Sequence, residues 1–315
     1  MKHYIIQGQD AGTAAAAPDI LQDPRIMSTQ SRRPFRRRAA LEAGAGAARP
    51  QTGPGWAEPG QGGAGPAAEP TRNLPATLPD SWARLRREPI GVRRHILARA
   101  PLVSFFRDDP AARAFDHLRT RLYHAIKAHG WRRVAVAAPS AGCGATFTAV
   151  NLALSLARVP GSRTVLMDLN QRAPGVARML DMPGLGDTRR FLKGEIPAEA
   201  HLVKPCDNLA LGLTAAPDPR AAAELLHAPS AADALDMMTE TLNPDLVLFD
   251  LPAVLEHDDF TAFLPRVDCV LLVADGTRTT ARQIAACEEL IDGHAPLLGV
   301  VLNRARRAGV DSGGA

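Results

Sequence analysis

The chain has 315 residues, with 37 Lys and Arg against 33 Asp and Glu, for a formal net charge of +4. No apolar run approaches the roughly 18 to 20 residues that a membrane-spanning helix needs, and the N-terminus lacks the apolar core and small-residue cleavage site of a secretory leader, so a cytoplasmic location is expected. Cys143, Cys206, Cys269 and Cys287 are widely spaced, with no C-x-x-C or Cys/His pattern, and so suggest neither a zinc site nor a disulfide framework.

Residues 1–95 are rich in Gly, Pro, Ala and Arg and poor in large apolar side chains, so they are expected as a disordered arm that cannot offset the entropy of ordering. A chain starting near Leu102 is then expected to keep its unfolding midpoint. The basic cluster from Arg32 to Arg38 reads either as a solvated charge run or as a contact for anionic lipid or nucleic acid. From residue 100 to 307 the pattern alternates short apolar runs with amphipathic stretches, and 308–315 reads as a flexible tail. Strands are expected at Val134–Ala138, Thr164–Met167, Leu209–Leu213, Leu246–Phe249, Val270–Ala274 and Leu298–Leu302. Helices are expected at Pro110–Ala128, Thr146–Arg158, Ala221–Leu226, Ala231–Leu242 and Thr280–Asp292, with Asp108 or Asp109 as a cap ahead of Pro110. The implied fold class is α/β: a mostly parallel sheet, as in P-loop NTPases, with helices on both faces.

Within this alternation, V-A-V-A-A-P-S-A-G-C-G-A-T-F-T-A reads as strand, small-residue turn and helix. That is the order of a phosphate loop, in which glycines let backbone N–H groups approach phosphate, a lysine reaches the β/γ oxygens and Ser/Thr holds Mg²⁺. Thr146 is present, but Ala145 stands where the lysine belongs. Cys143, just before the helix, is the one thiol whose surroundings would favour the thiolate. Two apolar runs end in acids, T-V-L-M-D at Asp168 and L-V-L-F-D at Asp250. At the C-terminal edge of a parallel sheet such acids suit a Mg²⁺ ion that keeps several waters, although a lone Asp there is also an ordinary helix cap.

These motifs, with D-P-A-A-R-A-F-D-H-L-R-T-R-L before the sheet, V-L-L-V-A-D-G-T-R-T-T and G-V-V-L-N-R after it, resemble the bacterial tyrosine kinases of capsule and exopolysaccharide synthesis, a branch of the MinD/ParA-type P-loop ATPases. The resemblance runs from about Asp108 to Arg306. It implies ATP/ADP and Mg²⁺ as cofactors, with Gly142, Cys143, Gly144, Ala145, Thr146 and Phe147 at the phosphates and Thr146, Asp168 and Asp250 at the metal. Asp168 and Asp250 would also be the catalytic acids, and Asn303 and Arg304 would sit near the nucleobase, with a plain strand end and a solvated Arg as the alternative for that pair. It implies an inner-membrane polysaccharide co-polymerase or chain-length regulator as partner, a homo-oligomer, peripheral membrane association through the partner, and no nucleic acid.

The departures matter as much. Besides Ala145, Asn170 stands where the family's second motif carries an acid, and the family's C-terminal tyrosine cluster has no counterpart: the tyrosines are Tyr4 and Tyr123. Arg172 is the residue that could partly stand in for the lysine. The expected function is therefore a degenerate, kinase-like regulator or scaffold that does not phosphorylate a tyrosine tail of its own. The alternatives are an active tyrosine kinase of the same pathway and a MinD/ParA-like positioning ATPase.

Overall fold

The computed structural model describes residues 3–5, 80–90, 102–105, 108–182 and 185–305; the Arg32–Arg38 cluster and the 308–315 tail lie outside them. The strands are β1 (His3–Ile5), β2 (Arg86–Arg87), β3 (Arg133–Ala137), β4 (Thr164–Asp168), β5 (Val203–Cys206), β6 (Leu209–Gly212), β7 (Leu246–Asp250), β8 (Cys269–Asp275) and β9 (Leu297–Asn303). They form one sheet in the order β1-β9-β8-β3-β7-β4-β6-β5-β2. Every pairing is parallel except that of β5 with β6. The six expected strands are all present within a residue or so of their expected ends. The helices are α1 (Ser81–Arg84), α2 (Pro110–His129), α3 (Ala145–Leu156), α4 (Val176–Met179), α5 (Thr188–Leu192), α6 (Ala198–His201), α7 (Ala222–His227), α8 (Pro229–Leu242), α9 (Asp259–Phe263) and α10 (Ala281–Ile291).

Strand periodicity assigns the two layers. On β3, Val134 and Val136 point into a core with α2, α3 and α4, while Ala135 and Ala137 point into the opposite core with α8, α9 and α10; Leu248 and Phe249 divide the same way on β7. Helix α2 buries Phe115, Leu118, Leu122 and Ile126, one face at three- and four-residue spacing. Asp109 caps its first turn by accepting from the Ala111 N–H at 2.7 Å, and Gly130, at φ 69°, ends it in the left-handed region.

The boundary of the folded part lies earlier than expected. Inside the expected arm, residues 3–5 form β1, which pairs with β9, and residues 80–90 hold α1 and β2, with β2 paired to β5. Trp82 and Leu85 are buried in the second core, the Trp82 indole N–H donates to the Asp207 carbonyl at 2.8 Å, and the Lys204 ammonium donates to the Trp82 carbonyl at 3.2 Å. Two large apolar residues in an otherwise polar stretch carry too little periodicity to announce this, and only the sheet edge gives them something to cover. Trp82→Ala is therefore expected to cost about 3–5 kcal/mol, which lowers the unfolding midpoint by something on the order of 10 °C. Calorimetry of a chain truncated to start at Pro79, which gives up only the three-residue edge strand β1, should show no loss of this size, and one starting at Leu102 should show it; equal midpoints for both would return the boundary to residue 102.

Candidate functional site

The chain leaves β3 at Ala137, turns through 138–144 and enters α3 at Ala145. Gly142 and Gly144 hold φ of 77° and 101°, a region closed to most side chains. A Cβ on Gly144 would lie 2.1 Å from Asn303 Nδ2, so the loop also needs glycine for close approach. Three successive loop carbonyls are held from the far ends of β8 and β9. Arg278 Nη2 donates to Ala141 O at 3.3 Å, Arg304 Nη1 to Gly142 O at 3.0 Å, and Asn303 Nδ2 to Cys143 O at 3.0 Å. Asp275 organises the two arginines, accepting from Arg304 at 2.7 Å and from Arg278 at 3.1 Å, and, against the opposing effect of burial, the Thr277 hydroxyl and N–H and then these two arginines hold its carboxyl below the usual range. A trans peptide sets each N–H opposite the preceding carbonyl, so the N–H groups of Gly142, Cys143 and Gly144 turn away from that side, and none has a hydrogen-bond partner among the described residues. Consecutive unpartnered N–H groups at the start of a 12-residue helix are an anion cradle. One loop N–H is taken: Ala141 donates to Glu256 Oε1 at 2.7 Å.

Asp168 and Asp250 end neighbouring strands and are register partners. Both are fully buried. Asp168 accepts from the N–H groups of Gly175 and Val176 at 3.0 Å and of Asn170 at 3.2 Å; burial nevertheless pushes its carboxyl up to about 7. Asp250 accepts from the Thr146 hydroxyl at 2.7 Å through Oδ2, while its buried Oδ1 has no partner. Burial first, and the Asp168 charge second, raise its carboxyl well above the ordinary value. Two facing carboxylates, one orphaned oxygen and a threonine hydroxyl form a hard-oxygen set that fits Mg²⁺ completed by water and phosphate oxygens. Among the described residues no cluster of three or more His, Cys, Asp or Glu offers an all-protein metal cage.

A cleft of about 800 Å³ opens over the loop, with Thr146, Asn170, Arg172, Arg178, Glu256 and Arg304 in its wall. Sequence reasoning brought most of the expected residues to one place, with qualifications. Phe147 turns inward, its ring edge-on to Phe115 at 5.7 Å between centroids. Asn170 accepts from the Ala173 N–H at 3.0 Å, a turn contact. Arg172 borders the cleft but is engaged twice by buried Asp259, Nε to Oδ2 at 2.5 Å and Nη2 to Oδ1 at 3.1 Å. Asn303 and Arg304 are spent on loop carbonyls. The Cys143 thiol is buried, 3.3 Å from the Ser140 hydroxyl and 3.7 Å from that of Thr279. Asp259, Arg178 and Glu256 were not singled out in the sequence, since each lies in a turn or short helix without a motif of its own; Asp275 ends β8 inside the V-L-L-V-A-D-G-T-R-T-T motif but was given no role there.

No family model matches the chain. Over 204 residues it is 31% identical to the "Putative tyrosine-protein kinase EpsB" of Ralstonia nicotianae, a match that covers 62% of this chain and 26% of that protein, so the chain spans about a quarter of the length of this relative. Among solved structures, the kinase domain of the Escherichia coli tyrosine kinase ETK superposes with a TM-score of 0.60 at 20% identity, covering 66% of this chain and 82% of that one. The VpsO kinase domain gives a TM-score of 0.52 at 26% identity, covering 61% and 95%. With the glycine loop, the paired strand-end acids and the sheet order on one α/β frame, the chain is similar in sequence to a putative bacterial tyrosine kinase and shares the fold of the bacterial tyrosine kinase domains.

Proposed function

We propose that this chain is a pseudokinase: a tyrosine-kinase-like P-loop protein that binds Mg-nucleotide weakly, turns ATP over slowly or not at all, and regulates or scaffolds exopolysaccharide or capsule polymerisation and export from the cytoplasmic side of the inner membrane. Its partner on this reading is a membrane co-polymerase or chain-length regulator whose cytoplasmic segment docks near the nucleotide face, with self-association as part of the assembly. No helix among the described residues is long and apolar enough to cross a membrane; on this reading attachment runs through that partner.

One observation carries the reading: the cradle, Thr146 and the two acids are built, but the phosphate ammonium is not. Ala145 opens α3 at the lysine's position, and Arg172 is locked to Asp259. When bound, Mg²⁺ neutralises phosphate-oxygen charge, and the chain's own residues position and exclude water. Thr146, Asp168 and Asp250 would hold the ion, and the N–H groups of Gly142, Cys143 and Gly144 would hold phosphate oxygens. A missing positioned cation at the transferred group removes on the order of 10² to 10³ in rate.

The test is calorimetry and phosphate-release assays on the wild-type chain and on Ala145→Lys. Ala145→Lys is expected to tighten Mg-ATP about tenfold, one charge-assisted contact's worth. Sub-micromolar wild-type affinity for Mg-ATP that Ala145→Lys leaves unchanged, together with turnover comparable to an active kinase, would replace this reading with the active-enzyme alternative.

A further inference from the structure

The cleft wall carries three arginines, and their bonding separates them. Arg172 is held in a two-point pair with Asp259. Arg304 is held by Asp275 and by the Gly142 carbonyl. Arg178, on α4, is exposed, and while its carbonyl accepts from the helix end, its guanidinium forms neither an ion pair nor a hydrogen bond with any described residue. It is nevertheless close enough to the metal acids for its charge to act on Asp168, where it opposes the effect of burial.

The path of the chain brings α4 to that spot. Asp168 accepts from the N–H groups of Gly175 and Val176, which anchors the start of α4 against the strand-end acids. Gly175 lies so close to Thr146 that an added Cβ would stand 2.9 Å from the threonine methyl. Arg178 is thus three residues beyond a point in contact with the metal-binding threonine, in the wall of the same cleft as Ala145. A guanidinium that faces open cleft beside an anion cradle, with no acid engaging it, is placed for an incoming anion rather than for the fold.

We propose that Arg178 supplies the cation that Ala145 does not, reaching the outermost phosphate of a bound nucleoside triphosphate from α4. This rests on the nucleotide-binding reading above and sharpens it. The cradle N–H groups serve the phosphates nearest the loop in any nucleotide, whereas Arg178, approaching from across the cleft, contacts the terminal group of the triphosphate. The chain then distinguishes ATP from ADP through an arginine on the second motif's helix.

The test titrates the full chain by calorimetry with Mg-ADP and with the Mg complex of the non-hydrolysable β,γ-imido analogue of ATP, at fixed ionic strength. Wild type, Arg178→Ala, Arg178→Lys and Arg132→Ala are compared; Arg132 precedes β3, at the end of the sheet opposite the loop, and controls for loss of one positive charge. Arg178→Ala is expected to weaken the triphosphate analogue about tenfold and ADP less than about threefold, the loss of one charge-assisted hydrogen bond, while Arg178→Lys keeps most of the affinity and Arg132→Ala matches wild type. An Arg178→Ala chain whose preference for triphosphate is unchanged, or which loses both nucleotides equally, overturns the assignment of Arg178 while nucleotide binding stands. A wild-type chain that takes up neither nucleotide overturns both.

Discussion

At pH 8 without added metal, Asp250→Asn is expected to unfold at a higher temperature than the wild-type chain, and saturating Mg-ADP is expected to reverse that order. The carboxyl of Asp250 is fully buried, faces Asp168 across adjacent strands and leaves Oδ1 without a partner. Either it ionises against burial and a neighbouring charge, or it holds a proton that the unfolded chain has released; both are unfavourable to folding. An amide removes that cost while its oxygen still accepts from the Thr146 hydroxyl. The variant is therefore expected to be the more stable at pH 8, because a carboxyl raised well above its ordinary value carries a folding cost there that an amide lacks. The same substitution removes a ligand oxygen from the Mg²⁺ set, so the wild type gains stability from Mg-ADP by mass action and the variant gains little. Differential scanning calorimetry with and without Mg-ADP measures both signs. An Asp250→Asn chain less stable than wild type in the absence of metal would mean that the acid pair is structural.

Between pH 4.5 and 6.5, His201→Phe and Asp168→Asn are expected to change stability relative to wild type with opposite slopes. His201 is buried, stacked on Phe191 at 4.9 Å, and burial lowers its imidazole to about 4. Over this range the unfolded histidine binds a proton that the folded one refuses, so its contribution is fully present above pH 6.5 and falls as pH drops toward 4, by about 3 kcal/mol in all. Asp168 is the mirror case. Its folded carboxyl sits at about 7, so the folded state keeps a proton that the unfolded state has released, and its contribution, complete below the ordinary carboxylate range, is lost as pH rises toward 7. Each contributes roughly 1.4 kcal/mol for every tenfold change in proton concentration, with opposite signs. Urea unfolding at three pH values reads the difference between wild type and each variant: the destabilisation in His201→Phe should shrink on acidification, and any stabilisation in Asp168→Asn should shrink with it. A difference from wild type that does not change with pH for either variant would show that the group removed titrates normally in the folded chain.

Both predictions concern groups whose positions along the chain were readable and whose surroundings were not. The strands at Val134, Thr164, Leu209, Leu246, Val270 and Leu298 are nearly continuous apolar runs, which central parallel strands require because both faces are covered. The longer helices repeat apolar residues at three- and four-residue spacing over several turns, enough to be unambiguous. The loop glycines, Thr146, Asp168 and Asp250 follow from the same pattern, because a parallel sheet delivers the C-terminal ends of its strands to one edge.

What the tertiary structure decided is partnership. The short helices α4, α5, α6 and α9 hold four or five residues each, too few for a period to register, yet they bring Arg178, His201 and Asp259 to their places. Strand β5 runs antiparallel to β6 across a two-residue turn, and β2 finds its edge only because β5 presents one. Composition spoke for a disordered segment through residue 95, but Trp82 and Leu85 are packed because a sheet edge made elsewhere gives them a surface to cover. Arg172 and Arg178 are chemically identical in the sequence, six residues apart. Only the fold, by setting buried Asp259 against the first and open cleft against the second, separates an arginine held by the protein from one available to a ligand.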